Sequence, residues 1–107
     1  MRAIACVAAT LLAGCGAMNK ADQSAWVGQP VAELDTNTQL LTLPVRVTTA
    51  PNGLEVRTYD AVRMVTGNVL TCSFIFYVKN GSVADMTQAG SCMPHQVVKP
   101  QGRWQRL

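Results

Sequence analysis

The chain has little of what catalytic chemistry usually draws on. Its one histidine, His95, stands between Pro94 and Gln96, the setting of an exposed loop residue and not of a general base. A single imidazole also excludes a His-x-x-x-His metal pair. No Gly-x-Ser-x-Gly elbow and no phosphate-cradling glycine loop occurs. Of its six acids, Asp60 and Asp85 are expected on strands, and neither suggests a reaction by itself. The reading is of a protein that is not an enzyme, with no catalytic residue, no metal ligands and no cofactor. Charge of either sign is scarce: nine Lys and Arg stand against six Asp and Glu. Nucleic-acid binding wants a basic stripe, and none is visible. Long apolar runs are missing too. The run 3–13 falls well short of the roughly 20 residues that a membrane-spanning helix needs.

What is present begins with that short run. Met1-Arg2 supplies a positive start, the apolar stretch follows, and small residues lead to Leu12-Ala13-Gly14-Cys15. Beyond it the chain turns polar at Asn19, Lys20, Asp22, Gln23 and Ser24. A charged start, an apolar centre and small residues before a cut describe a secretory leader. Leu12, Ala13, Gly14 and Cys15 together resemble the lipobox of bacterial lipoproteins. That resemblance implies a leader 1–14 that is removed and a diacylglycerol on the Cys15 thiol. It also implies an acylated new amino group and attachment to a membrane of the cell envelope. Gly16, where inner-membrane lipoproteins typically carry Asp, implies the outer membrane, most naturally its periplasmic face. Residues 15–25 are then expected to be a lipidated flexible tether.

Four cysteines would ordinarily allow three pairings. On the lipoprotein reading Cys6 leaves with the leader and Cys15 carries lipid. Cys72 and Cys92 remain, in a compartment where disulfides persist. A bridge between them closes a loop of about twenty residues, worth roughly 3 kcal/mol on the chain-entropy account. The alternatives are two reduced buried thiols or, with one histidine available, a zinc site short of ligands.

After the tether, Trp26 to Leu34 reads as the start of a short helix. Pro30 suits its first turn, Glu33 and Asp35 favour its positive end, and Val31 with Leu34 would face inward beside Trp26 or Val27. Asp35-Thr36-Asn37-Thr38 are poor helix formers and should end it. From Leu40 the pattern becomes strands and turns. Val45-Arg46-Val47-Thr48-Thr49 precedes a Pro51-Asn52-Gly53 turn. Next, Leu54 and Val56 alternate with Glu55 and Arg57, and Gly67-Asn68 reads as a second turn. The strongest strand is 70–79, with Leu70, Cys72, Phe74, Phe76 and Val78 on one face. Asn80-Gly81 is a strong two-residue hairpin signal. It should set Lys79 against Ser82, Val78 against Val83, Phe76 against Asp85 and Cys72 against Ala89, so that a Cys72–Cys92 bridge clamps the open end. The segment 96–107, with Lys99, Arg103 and Arg106 around Trp104, reads as a solvated basic coil. Contact with anionic lipid headgroups is its functional alternative.

Three groups of residues carry a further resemblance: Trp26-Val27-Gly28, Pro30 and Glu33-Leu34; Pro44, Arg46-Val47-Thr48 and Pro51-Asn52-Gly53; and Cys72, Phe76, Asn80-Gly81, Val83 and Cys92. In this order they are similar to the BamE/SmpA group of small proteobacterial lipoproteins. The resemblance implies one or two short helices on a three-stranded antiparallel meander. It also implies an accessory role at the outer membrane, in contact with assembly proteins or phospholipid. The expectation is therefore an α+β domain, 26–95, in which a short N-terminal helix packs on a three- to four-stranded antiparallel β-meander with one disulfide. The expected function is that of a non-catalytic, lipid-anchored scaffold. The alternative is a periplasmic binding lipoprotein of the lysozyme-inhibitor kind.

Overall fold

The computed structural model describes residues 18–102. The expected leader 1–14, the lipobox-like residues Leu12, Ala13, Gly14 and Cys15, and the tail residues Arg103, Trp104 and Arg106 lie outside the described residues. Within them, two short helices, α1 (Lys20–Ser24) and α2 (Val31–Thr36), precede four strands: β1 (Val45–Thr49), β2 (Glu55–Val65), β3 (Asn68–Lys79) and β4 (Ser82–Gly90). The strands form one antiparallel sheet in sequence order, one strand more than the family resemblance implies.

Each connection follows from local chemistry. Asn80 and Gly81 both take positive φ, closing β3 onto β4 with Lys79 opposite Ser82, as an Asn-Gly turn should. Between β1 and β2, the Ala50 N–H donates to Leu54 O and the Gly53 N–H to Ala50 O, a three-residue loop around Pro51-Asn52-Gly53. The β2–β3 turn falls on Thr66-Gly67, with Val65 paired to Asn68, one residue earlier than expected. The register accounts for the difference. Ala61 lies opposite Cys72, whereas a turn at Gly67-Asn68 would place the bulky Arg63 there.

A second correction concerns β4. The register follows the Asn-Gly turn only as far as Val78 and Val83; Tyr77 then pairs with Asp85, leaving Ala84 as a bulge. One extra residue shifts everything beyond it. Asp85 faces Tyr77 instead of Phe76, and Cys72 faces Gly90 instead of Ala89. The shift turns Met86 and Gln88 into the buried face while Asp85 stays exposed.

One face of the sheet is covered. Phe74, Phe76, Val78, Tyr59, Val83 and Met86 pack beneath Trp26, Leu34 and Leu40. Trp26 meets Phe76 edge-on at 4.8 Å, and Tyr59 does so at 5.6 Å. Such arrangements suit the ring quadrupoles. Val31 is partly buried against this cluster, whereas Val27 is exposed. On β2 the covered face carries Glu55, Arg57 and Tyr59, since these lie opposite Val78, Phe76 and Phe74. Val56 therefore belongs to the open face.

Two segments expected to be loose are built into the domain. Of the expected tether 15–25, the described part from Met18 onward holds a helix: Asn19 caps α1 through its side chain, accepting from the Asp22 N–H at 2.8 Å. Met18 just before it is buried. The segment 96–102 has no regular structure, yet only Lys99 in it is exposed. Val98 is buried and its carbonyl accepts the Trp26 indole N–H at 3.1 Å. An apolar side chain and an indole donor each need cover or a partner, and each supplies it to the other.

Candidate functional site

The lower end of the covered face is defined by the disulfide. Cys72 and Cys92 are bonded, with Cα atoms 4.7 Å apart, inside the usual range for such a bridge. Gly90 makes it possible. Its φ is +93°, and a Cβ there would sit 2.4 Å from Thr71 O. Glycine alone lets the chain pass this close, so that the Ser91 N–H reaches Thr71 O at 2.8 Å and Cys92 turns back over Cys72. Beside the bridge, buried Gln88 accepts the Met18 N–H at 3.1 Å. Its amide donates to Gln96 O. The start and the end of the described chain are thus fastened at one point, next to the disulfide.

A buried polar knot fastens the end again. Glu33 and Asn37, one turn apart across the C-terminal end of α2, are both buried. Glu33 Oε2 accepts from Asn37 Nδ2 at 3.0 Å and from the Gln101 N–H at 2.9 Å. Asn37 Nδ2 also donates to Lys99 O at 2.9 Å. Charge alone puts Glu33 at the helix start and does not reveal this role. The only signal is a carboxylate and an amide four residues apart on a short helix.

At the opposite end, near the β1–β2 and β3–β4 turns, lies an open hollow of about 350 Å³. Its floor is Val78 and Arg57, its rim Glu55, Lys79 and the two turns. Arg57 Nη1 donates to Asp35 at 2.7 Å, and its Nε to Glu55. Burial opposes the Arg57 charge. Hydrogen bonds with Glu55, Asp35 and Tyr59 outweigh it, so the guanidinium is held more firmly protonated than usual. Tyr59 is pushed above its ordinary range, chiefly by burial. On the far side of Arg57 a smaller hollow of about 190 Å³ runs between α2 and β1, lined by Leu34, Leu40, Leu41, Leu43, Val45 and Val47. Leu41, Val45 and Val47 are about half exposed or more.

The two sheet edges are treated differently. Along β4, Gly28 and Gln29 exchange backbone hydrogen bonds with Val83 at 2.8 Å each, and the Val31 N–H reaches Gly81 O. The turn end of that edge is covered. All five residues of β1 are exposed.

Among the described residues no three His, Cys, Asp or Glu side chains come together as metal ligands, and no helix is long and apolar enough to cross a membrane. His95 is exposed in a turn after Met93, and Asp60 is tied to Arg46 at 2.9 Å and to Ser73 at 2.7 Å on the open face. Comparisons with protein families, with characterised proteins and with solved structures found no match for this chain.

Proposed function

We propose that this protein is a non-catalytic, lipid-anchored lipoprotein of the cell envelope that serves as a scaffold or accessory at the outer membrane. The observation that carries this reading is the fit of Leu12-Ala13-Gly14-Cys15 to the lipobox, three residues ahead of Met18, which is buried in the domain. Only Gly16 and Ala17 stand between the acylated cysteine and that buried methionine. Three residue steps reach at most about 11 Å, so the domain sits against the bilayer and does not roam above it. Protein partners would meet the end with the Arg57 hollow and the uncovered β1 edge, where half-exposed valines flank a fixed cation.

Intact-mass analysis of the protein extracted from its native membrane tests this. The expected species starts at Cys15 and carries diacylglycerol plus an amide-linked acyl chain, and Cys15→Ser is expected in the soluble fraction. An unmodified Cys15, or a Cys15→Ser protein that stays with membranes, would refute the anchor.

A further inference from the structure

Resting on the lipid-anchor reading, we infer that the tip of the β2–β3 hairpin is a second membrane contact, dipping into the lipid interface beside the anchor and fixing the domain's orientation. The hairpin outgrows the sheet. Pairing with β1 ends at Tyr59, and pairing with β4 ends where Cys72 meets Gly90. Beyond Ala61 and Cys72 the two strands continue without a third strand to the Thr66-Gly67 turn. Five residues at about 3.3 Å each carry that turn roughly 17 Å past the disulfide.

This overhang is apolar on both sides. Val62, Met64 and Val69 share the open face, with Met64 directly opposite Val69. Val65 points the other way, opposite Asn68. Their exposures are 59%, 66%, 62% and 42%. Met93, just past the bridge, adds another exposed side chain at 41%. Of the nine large hydrophobics exposed among the described residues, five are thus gathered at this one end. No acid occurs between Asp60 and Asp85, so no carboxylate on the overhang would have to be desolvated. The one cation, Arg63, folds back to Ser91 O at 3.2 Å.

Geometry places the same end at the bilayer. Met18 is held through Gln88, whose amide also lies 3.4 Å from Cys72 Sγ. A lipid-bearing Cys15 must stay within about 11 Å of Met18. Penetration is shallow for a physical reason. Beyond Asp60 and Thr71, toward the turn, neither strand has a further partner strand, and backbone groups without partners cannot enter the hydrocarbon. The apolar side chains therefore lodge at the headgroup and acyl boundary, the depth of roughly 5–10 Å typical of interfacial segments. The opposite end, with the Arg57 hollow, is then turned away from the membrane.

The test uses the full-length lipidated protein in phosphatidylethanolamine–phosphatidylglycerol vesicles, prepared with or without brominated acyl chains. Met64→Trp and Val69→Trp place a fluorophore on either strand of the overhang, and Val47→Trp serves as a control at the far end. Near-native circular dichroism and an intact disulfide qualify each variant. After subtraction of the parent emission, bromine is expected to quench the indoles at 64 and 69 at least threefold more than the one at 47. Equal quenching at all three positions, in vesicles whose protein is acylated at Cys15 by intact mass, would overturn the tip contact and leave the anchor standing. Bromine-independent burial of positions 64 and 69 would mean self-association and would equally overturn it. An unacylated Cys15 in the same sample would remove the anchor, and the inference with it.

Discussion

The two halves of strand β3 obey different rules. From Cys72 to Val78 every second side chain is buried beneath Trp26 and its neighbours, while from Asn68 to Thr71 none is. Composition does not separate them, for Val69 and Leu70 are as apolar as Phe74 and Val78. What separates them is partnership. The inner half has strands on both sides and Trp26, Leu34 and Leu40 packed over it; the outer half has β2 alone. A strand gains stability from cross-strand neighbours and a covered face. The same kind of residue is therefore core above the disulfide and unspent surface below it.

That contrast can be sharpened by substitution. Phe76→Ala, at the centre of the Trp26 and Tyr59 contacts, is expected to cost about 3–5 kcal/mol, whereas Met64→Ala on the overhang should stay within about 0.5 kcal/mol. Urea unfolding of both would erase the distinction if the two losses were similar. Removing the bridge with Cys72→Ser and Cys92→Ser is expected to cost roughly 3 kcal/mol and to loosen the tip no more than the core. Asn37→Ala strips Glu33 and Lys99 O of a buried donor, for a loss of about 1–3 kcal/mol. It should free the segment 96–102 to early proteolysis while leaving the tip as it was.

The smallest effect concerns pH and the open face. Hydrogen bonds from Arg46, then Ser73, hold the Asp60 carboxyl below the usual carboxylate range. A lowered folded value means that this contribution is complete above the unfolded pKa, near 3.9, and fades as pH falls through the folded value. Arg46 is largely exposed, so the contribution is small and screened by salt. Relative to the parent, Asp60→Asn should lose stability slightly at neutral pH and not at pH 2, as thermal melts at the two values would register.

Much of the sheet could be read from residues alone. The inward set of β3, the Asn80-Gly81 turn and the short helix at Pro30 rest on alternation and turn chemistry, which are local; the Cys72–Cys92 pairing rests on setting Cys6 and Cys15 aside as leader and lipid site. What escaped was non-local. The Ala84 bulge has no residue signature, because its cause is the fit of Met86 and Gln88 into the core. The helix at Lys20–Ser24 is too short to announce itself by periodicity and owes its place to Asn19 and to Met18 on Gln88. Val97 and Val98 were visible, but only Trp26, some seventy residues distant, explains why they are held. The Arg57 hollow was hidden for a similar reason. A charged residue on an alternating strand reads as outward until its pairing with Phe76 is known.

Amide hydrogen exchange along β3 bears on the central claim most directly. In the unlipidated Cys15→Ser protein, residues 73–78 should exchange slowly and 68–71 quickly. On vesicles, the lipidated chain should keep the first set slow and slow the second markedly. If 68–71 exchanged as fast on the membrane as off it, the overhang would be bare surface and its contact with lipid would be refuted.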